Sequence, residues 1–283
     1  MLGAFLSTFR QRSSVLLAAW SAGSWACQAG EIPSAASRPS ASAGSAAVAR
    51  AVAAPSAAAA PAGLDVVRLG PLREDEKGGQ LVVLLHGWRA RGDDLVSLAR
   101  ELARRGTRFL VPAALLVEPN GGRAWWRLDS GVRPAHVSKD ELPADYHPSA
   151  QLAAARGAVQ ALLRDAQQRY APDSIAVVGF SQGAMLALDL GLAGEPPIER
   201  VAVLSGVLVA DSLPALHAKQ GKPAVFVSHG RSDQMLPFAE AASIESVLKP
   251  YGIPVTFFPF EGGHQIPSAV VEQLRAFLAA GAR

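Results

Sequence analysis

The sequence predicts an α/β fold: a mostly parallel central sheet with helices on both faces. Three observations carry this. From Leu64 onward, short apolar runs rich in β-branched residues alternate with longer stretches of helical period. Several runs are apolar without interruption, as a strand covered on both faces must be, whereas a half-solvated strand alternates. Parallel neighbours also need a crossover, and most intervening stretches are long enough to supply a helix.

The elements follow in order. "LDVVRL" and "LVVLLHG" are strands, the second unbroken and so expected to be buried on both faces. "DDLVSLARELARRG" is a helix that starts with Asp93 and Asp94 as caps and stops at Gly106. "TRFLVP" is a strand, and residues 112–148 then run without clear periodicity past the adjacent pair Trp125 and Trp126. Segments this long in compact domains usually serve function or motion, and this one begins at the carboxyl end of a strand, where open parallel sheets bind ligands. A long helix, "PSAQLAAARGAVQALLRDAQQRY", leads to the strand "SIAVVGF" and the helix "QGAMLALDLGLAG". Strands "VAVLSG", "PAVFVSHG" and "VTFFPF" follow, with the helix "FAEAASIESVLKPYG" between the last two and "PSAVVEQLRAFLAAG" closing the chain.

Composition narrows the class. Residues 1–63 carry four Arg and one Glu, leaving 23 basic and 23 acidic residues beyond. The body is therefore formally neutral, and without a basic stripe it gives no electrostatic reason to expect nucleic acid as a partner. The single cysteine, Cys27, can make neither an intramolecular disulfide nor a cysteine-based metal site. No metal and no cofactor is expected, and the oligomeric state stays open.

The N-terminal stretch is organised differently. Arg10 and Arg12 precede an apolar run from Val15 to Ala26, about 12 residues, which is short for a membrane span of about 20. Residues 1–26 read as a secretory signal, and Cys27 directly after them resembles the acylated cysteine of bacterial lipoproteins. Cleavage after Ala26 without lipidation is the other reading, since Ser24 replaces the usual Leu and Trp25 is bulky. Residues 27–63 are dominated by Ala, Ser and Pro, with 16 Ala among positions 29–63. Such a composition cannot offset the entropy of ordering, so this segment is expected to be a disordered tether between a signal or lipid and a catalytic domain over 64–283. An exported protein, in the cell envelope as a lipoprotein or secreted, is the expectation.

Within the body, "GFSQG" places Ser181 where a strand runs into a helix, with Gly179 and Gly183 on either side. That is the setting of a nucleophile elbow, a strained turn that exposes its serine. A hydroxyl is a weak nucleophile at neutral pH, so it needs a base and an acid that orients the base. Asp233 lies just beyond one later strand and His264 just beyond the next, giving the chain order Ser, Asp, His. Asp211 is the reserve acid. The oxyanion produced by attack needs donors, and the backbone amides of Trp88 and Gln182 are the expected pair, with no demand placed on either side chain. The ring of Trp88 is then free to line the substrate pocket together with Arg89; Trp125 and Trp126 supply more of that wall or pack in the core. His86 belongs to the strand end of the oxyanion loop and His229 shapes the aspartate loop, while His136, His147 and His217 lie in irregular segments facing solvent.

With these residues in place, the chain from about Gln80 to its end resembles the phospholipase/carboxylesterase family of α/β-hydrolases, which includes bacterial carboxylesterases and acyl-protein thioesterases. The resemblance rests on "LHG" with a following "DDL", "GGRAWW", "GFSQGAML", "HGRSDQMLP" and "GGHQIP". It implies an α/β-hydrolase fold without a large cap domain, a triad of Ser181, Asp233 and His264, and oxyanion donors Trp88 and Gln182. Arg89 departs from it, standing where the family commonly has Gly. The expected activity is that of a cofactor-independent serine hydrolase acting on a small acyl ester, with thioesters and lysophospholipids as further substrates. Exported polyester or feruloyl-type esterases are the enzymatic alternative, and a non-catalytic surface-binding protein on a hydrolase scaffold is the alternative of another class. Serine peptidase activity is disfavoured because no cluster for amine recognition is visible.

Overall fold

The computed structural model describes residues 63–70, 75–119, 121–135, 142 and 146–280. The expected signal 1–26, Cys27, the tether apart from Gly63, and His136 lie outside the described residues.

Nine strands and seven α-helices run along these residues. They are β1 (Val66–Leu69), β2 (Gln80–Leu85), α1 (Val96–Leu102), β3 (Thr107–Pro112), β4 (Leu116–Val117), β5 (Arg123–Ala124), α2 (Ala150–Tyr170), β6 (Ser174–Phe180) and α3 (Gln182–Ala193). The chain continues through β7 (Arg200–Leu204), α4 (Leu213–His217), β8 (Ala224–Gly230), α5 (Phe238–Ala242), α6 (Ile244–Leu248), β9 (Val255–Phe260) and α7 (Ser268–Ala279). Seven strands make one sheet in the order β1-β3-β2-β6-β7-β8-β9. Every pairing in it is parallel except that of the edge strand β1 with β3. The fold is thus a mostly parallel sheet with helices, not a closed barrel.

Alternation along the strands divides the core in two. In β2, Leu81, Val83 and Leu85 face one cluster while Val82 and Leu84 face the other. The same division recurs in β6, where Ile175 and Val177 oppose Ala176 and Val178, and in β7, where Val201 and Val203 oppose Ala202 and Leu204. Helices α2, α3 and α4 cover the first face, and α1 and α7 the second. All six residues of β2 are buried, as its unbroken apolar sequence requires. The edge strands β1 and β9 keep exposed positions.

Three helical expectations change. Asp93 and Asp94 do not cap α1, which begins after Leu95 without a side-chain cap. Residues 92–95 are turns instead, because Arg91 holds the Asp93 carboxylate at 3.2 Å from both Nε and Nη2. The helix also ends at Leu102, and Gly106, at φ 78°, turns the chain into β3. The segment read as one helix over 238–252 breaks into α5, α6 and a 3-10 turn before Gly252. By contrast α2 starts where a cap sits: the Ser149 hydroxyl accepts from Leu152 N at 3.4 Å. The described part of 113–149 holds only the small β4–β5 ribbon and irregular chain, and no separate cap domain is formed by it.

Candidate active site

Ser181 sits between β6 and α3 with φ 55° and ψ −120°, backbone angles that L-residues avoid. The turn is compressed as well as strained. A Cβ on Gly179 would lie 2.1 Å from Gly183 O, and one on Gly183 would lie 2.1 Å from Leu85 O, so both positions accept only glycine. Ser181 N donates to Leu204 O at 2.9 Å, and Ser181 O accepts from Ala184 N and Met185 N, which joins the serine to β7 and to the first turn of α3. The serine is half-buried rather than fully exposed.

The residues expected as base and acid come from the two strands at the far edge. His264 follows β9 and Asp233 follows β8, and His264 Nδ1 lies 2.8 Å from Asp233 Oδ2. Their loops are joined through the main chain: Arg231 N donates to Phe260 O and Ser232 N to Gly262 O, each at 2.9 Å. Gly230 makes that approach feasible, since a Cβ there would come within 2.3 Å of Gly263 O. The imidazole of His264 packs on Phe180, the residue before the serine, with ring centroids 4.9 Å apart. Ser205 Oγ donates to Gln265 O at 3.4 Å, closing the gap between the β7 end and the histidine loop.

Asp233 is held from several sides. Its Oδ1 accepts from Met235 N at 2.8 Å and Leu236 N at 3.0 Å. Burial by itself would raise its pKa, but the bonds from Leu236, His264 and Met235 outweigh burial and hold the carboxyl below the usual carboxylate range. An ionised Asp233 accepts from His264 Nδ1–H, which leaves Nε2 as the basic nitrogen.

Trp88 occupies a turn closed by Ala90 N and Gly87 O at 3.3 Å. Arg89 next to it has φ 60°, which explains why a glycine is favoured at this position by steric logic. Its guanidinium lies 4.9 Å from the centroid of the Trp88 ring and is exposed. The amide of Gln182 is the first of α3, where helical geometry leaves N–H groups without intrahelical partners and the dipole favours negative charge.

Trp125 and Trp126 are buried at 2% and 4% exposure and belong to the core beneath the Trp88 turn. Trp125 Nε1 donates to His86 O at 2.9 Å and its ring stands 5.3 Å from that of His86. His86 Nε2 accepts from Ala114 N at 3.0 Å, so the proton is on Nδ1, where it donates to Gly87 O at 2.8 Å. Burial lowers the His86 pKa, against the opposing effect of the Gly87 bond, and the ring serves as a neutral brace for the oxyanion loop.

One relation escapes sequence reasoning, the Gln182 side-chain contact, while the expected support of the aspartate loop by His229 gains its geometry. The Gln182 side chain accepts from Trp125 N at 2.9 Å and donates to Trp126 O at 2.7 Å, so the side chain as well as the amide is engaged. His229 is fully buried, with Nε2 lying 3.2 Å from Asp233 Oδ2 and 3.0 Å from Leu236 O. The available signal is the repeated His-Gly doublet at the ends of β2 and β8, which puts one histidine under each of two loops. Asp211 is elsewhere: its Oδ1 accepts from Ser149 N at 2.8 Å. It lines a cavity of about 290 Å³ with Tyr146, Ser149 and Arg156, which contains none of the triad or oxyanion residues. His147 is exposed, as expected, whereas His217, also exposed, ends α4 rather than lying in an irregular segment and stacks on Tyr251. Among the described residues no group of three or more His, Cys, Asp or Glu side chains is arranged to hold a metal ion.

An elbow serine, an aspartate and a histidine following β6, β8 and β9 of one mostly parallel sheet define the α/β-hydrolase class. The chain belongs to the Phospholipase/Carboxylesterase family, whose sequence profile matches residues 72–281. Among solved structures it is similar to esterase PE8, with 26% identity, a TM-score of 0.64, and coverage of 77% of this chain and 99% of that one. It shares the fold of the Zea mays acyl-protein thioesterase 2, at 20% identity and TM-score 0.58 over 76% of this chain and 98% of that one. It shares it too with the Bacillus cereus carboxylesterase, at 20% and 0.58 over 78% and 95%. A curated relative, the Mus musculus lysophospholipase-like protein 1, is 30% identical over 108 residues. That match covers 37% of this chain and less than half, 45%, of the relative. The family is one of esterase-, thioesterase- and lysophospholipase-like hydrolases.

Proposed function

We propose that the protein is a serine hydrolase cleaving carboxylic esters through an acyl-enzyme on Ser181, with thioesters and lysophospholipids as related substrates. The observation that carries this is the 2.8 Å contact of His264 Nδ1 with Asp233 Oδ2, at the ends of β9 and β8 in the sheet whose strand β6 leads into a serine at φ 55°. In the first half-reaction His264 Nε2 takes the Ser181 proton as Oγ attacks the acyl carbon. The amides of Trp88 and Gln182 meet the oxyanion, each such donor contributing about 2.7–4 kcal/mol. Collapse expels the alcohol or thiol, protonated by His264. Water, deprotonated by the same nitrogen, then attacks the acyl-enzyme, and the proton returns to Ser181 as the acid leaves. Trp88 and Arg89 form the rim that the substrate meets.

Ester hydrolysis by the wild type and by Ser181→Ala on p-nitrophenyl esters of graded chain length tests this. Loss in the variant, together with a fluorophosphonate adduct on Ser181 of the wild type, is expected. Full activity in the variant overturns the reading, and an unlabelled, inactive wild type supports a binding protein instead. The N-terminal signal supports export, with the mature chain beginning at Cys27. Mass spectrometry of the protein from a bacterial envelope or medium fraction checks this, and a retained Met1 contradicts it.

A further inference from the structure

We propose that His229 is a positioning residue for the hydrolytic site: its Nε2–H, donated to Leu236 O and facing Asp233 Oδ2, anchors the aspartate loop and moderates the carboxylate that orients His264. This rests on the triad assignment above.

Both neighbours of His229 Nε2 are acceptors only, a backbone carbonyl at 3.0 Å and a carboxylate at 3.2 Å, so this nitrogen carries the proton. Nδ1 is buried with no hydrogen-bond partner. A second proton there would be a buried donor without an acceptor, so the ring stays neutral. Burial acts in the same direction, holding the pKa below its ordinary value despite the Leu236 bond and the Asp233 charge, with His264 adding to the lowering.

Leu236 links the two effects. Its carbonyl accepts from His229, while its amide donates to Asp233 Oδ1 at 3.0 Å. Fixing the Leu236 peptide therefore fixes one of the two amides that clamp the acid. On the other oxygen, the positive end of the His229 N–H faces Oδ2 beside His264 Nδ1 at 2.8 Å. Charge drawn towards His229 is charge not presented to His264, so Asp233 orients the base without holding its imidazolium too tightly. The surroundings contain few other titrating groups. The Phe238 ring of α5 stands edge-on to His229 at 6.2 Å, and beyond it lies Arg231, paired with Glu261 at 3.1 Å. Asp233 and His264 are the groups that face His229 directly.

Two substitutions separate positioning from packing. His229→Leu removes the donor, and His229→Gln restores an N–H close to the position of Nε2. In histidine-selective ¹⁵N–¹H NMR, wild type is expected to show His229 as the Nε2–H tautomer. The low-field His264 Nδ1–H signal is expected further downfield in H229L and at its wild-type position in H229Q. In kcat/KM against pH, the acid limb is expected to move up by about half a pH unit in H229L and to return in H229Q. kcat falls in H229L with KM unchanged. An Nδ1–H tautomer in wild type, or a folded H229L whose His264 signal and acid limb both stay in place, overturns the proposal. The NMR arm reads the Asp233–His264 contact whether or not esters are cleaved, so a failure of the hydrolase assignment registers separately in the Ser181→Ala comparison.

Discussion

The side chain of Gln182 reaches across to the backbone of Trp125, accepting its N–H at 2.9 Å while donating to the next carbonyl at 2.7 Å. The residue whose amide is the proposed oxyanion donor thus uses its carboxamide to bind the segment under the Trp88 turn. Gln182→Ala leaves the amide in place but strands a buried N–H and a buried C=O. Each costs about 1–3 kcal/mol. Urea unfolding is expected to show a loss of at least about 2 kcal/mol, with kcat reduced more than KM because the two donor-bearing loops lose their common brace.

Backbone strain at Ser181 separates from its chemistry. At φ 55° and ψ −120° a side chain is disfavoured and glycine is not. Ser181→Ala and Ser181→Gly are both expected to lose hydrolysis. Thermal or chemical unfolding should find the glycine variant the more stable of the two by about 1–2 kcal/mol, although glycine elsewhere in the fold would be destabilising.

Arg156 and Asp189 connect α2 to α3, the helix that begins directly after Ser181. The pair is bidentate, 2.6 and 2.9 Å, and Ser212 Oγ donates to Asp189 Oδ1 at 2.9 Å. Asp189 is fully buried, and burial pushes its carboxyl up against the opposing effects of Arg156 and Ser212. In Arg156→Met the opposing charge is gone and the native-state pKa lies well above the unfolded one. The native state then binds the proton first, so stability is highest below the unfolded carboxyl pKa and is lost as pH rises through the native value. A loss of about 3–5 kcal/mol at pH 7 is expected, shrinking towards pH 4. Denaturant midpoints measured across that range check the sign.

Arg89 carries two opposing contributions. Its left-handed backbone costs about 1–2 kcal/mol, while stacking on Trp88 returns about 0.5–1 kcal/mol. Arg89→Gly removes both and should shift stability by no more than about 1.5 kcal/mol. The change is expected in KM instead: esters with a negatively charged leaving group lose affinity relative to neutral ones, with kcat retained. Steady-state kinetics on the two ester types distinguish this from a global effect.

The strands were readable because a buried parallel strand has a local signature, an apolar run such as Gln80–Leu85 that needs no knowledge of its neighbours. Ser181, Asp233 and His264 were nameable for the same reason, each standing at the end of such a run. What escaped depends on partners distant in the chain or on a competing local bond. Gln182 meets Trp125 across 57 residues, through a segment with no period to place it. His229 could be placed under the aspartate loop from its position at the strand end, but which ring nitrogen meets Leu236 and Asp233 depends on how residues 231–236 turn back. Asp93 looked like a helix cap until Arg91 claimed its carboxylate, and the helical period of 238–252 carried no mark of the break between Ala242 and Ile244.

The order of strands also has a mechanical side. The chain enters the folded body at β1, which borders the sheet opposite β9. Six interstrand spacings of about 4.8 Å separate them, roughly 29 Å. A pull exerted through the residues preceding Gly63 is therefore borne first by the four antiparallel pairs of β1 with β3, from Val66 with Pro112 to Leu69 with Phe109. Those pairs can peel one after another at the margin, while the strands bearing Ser181, Asp233 and His264 remain unloaded.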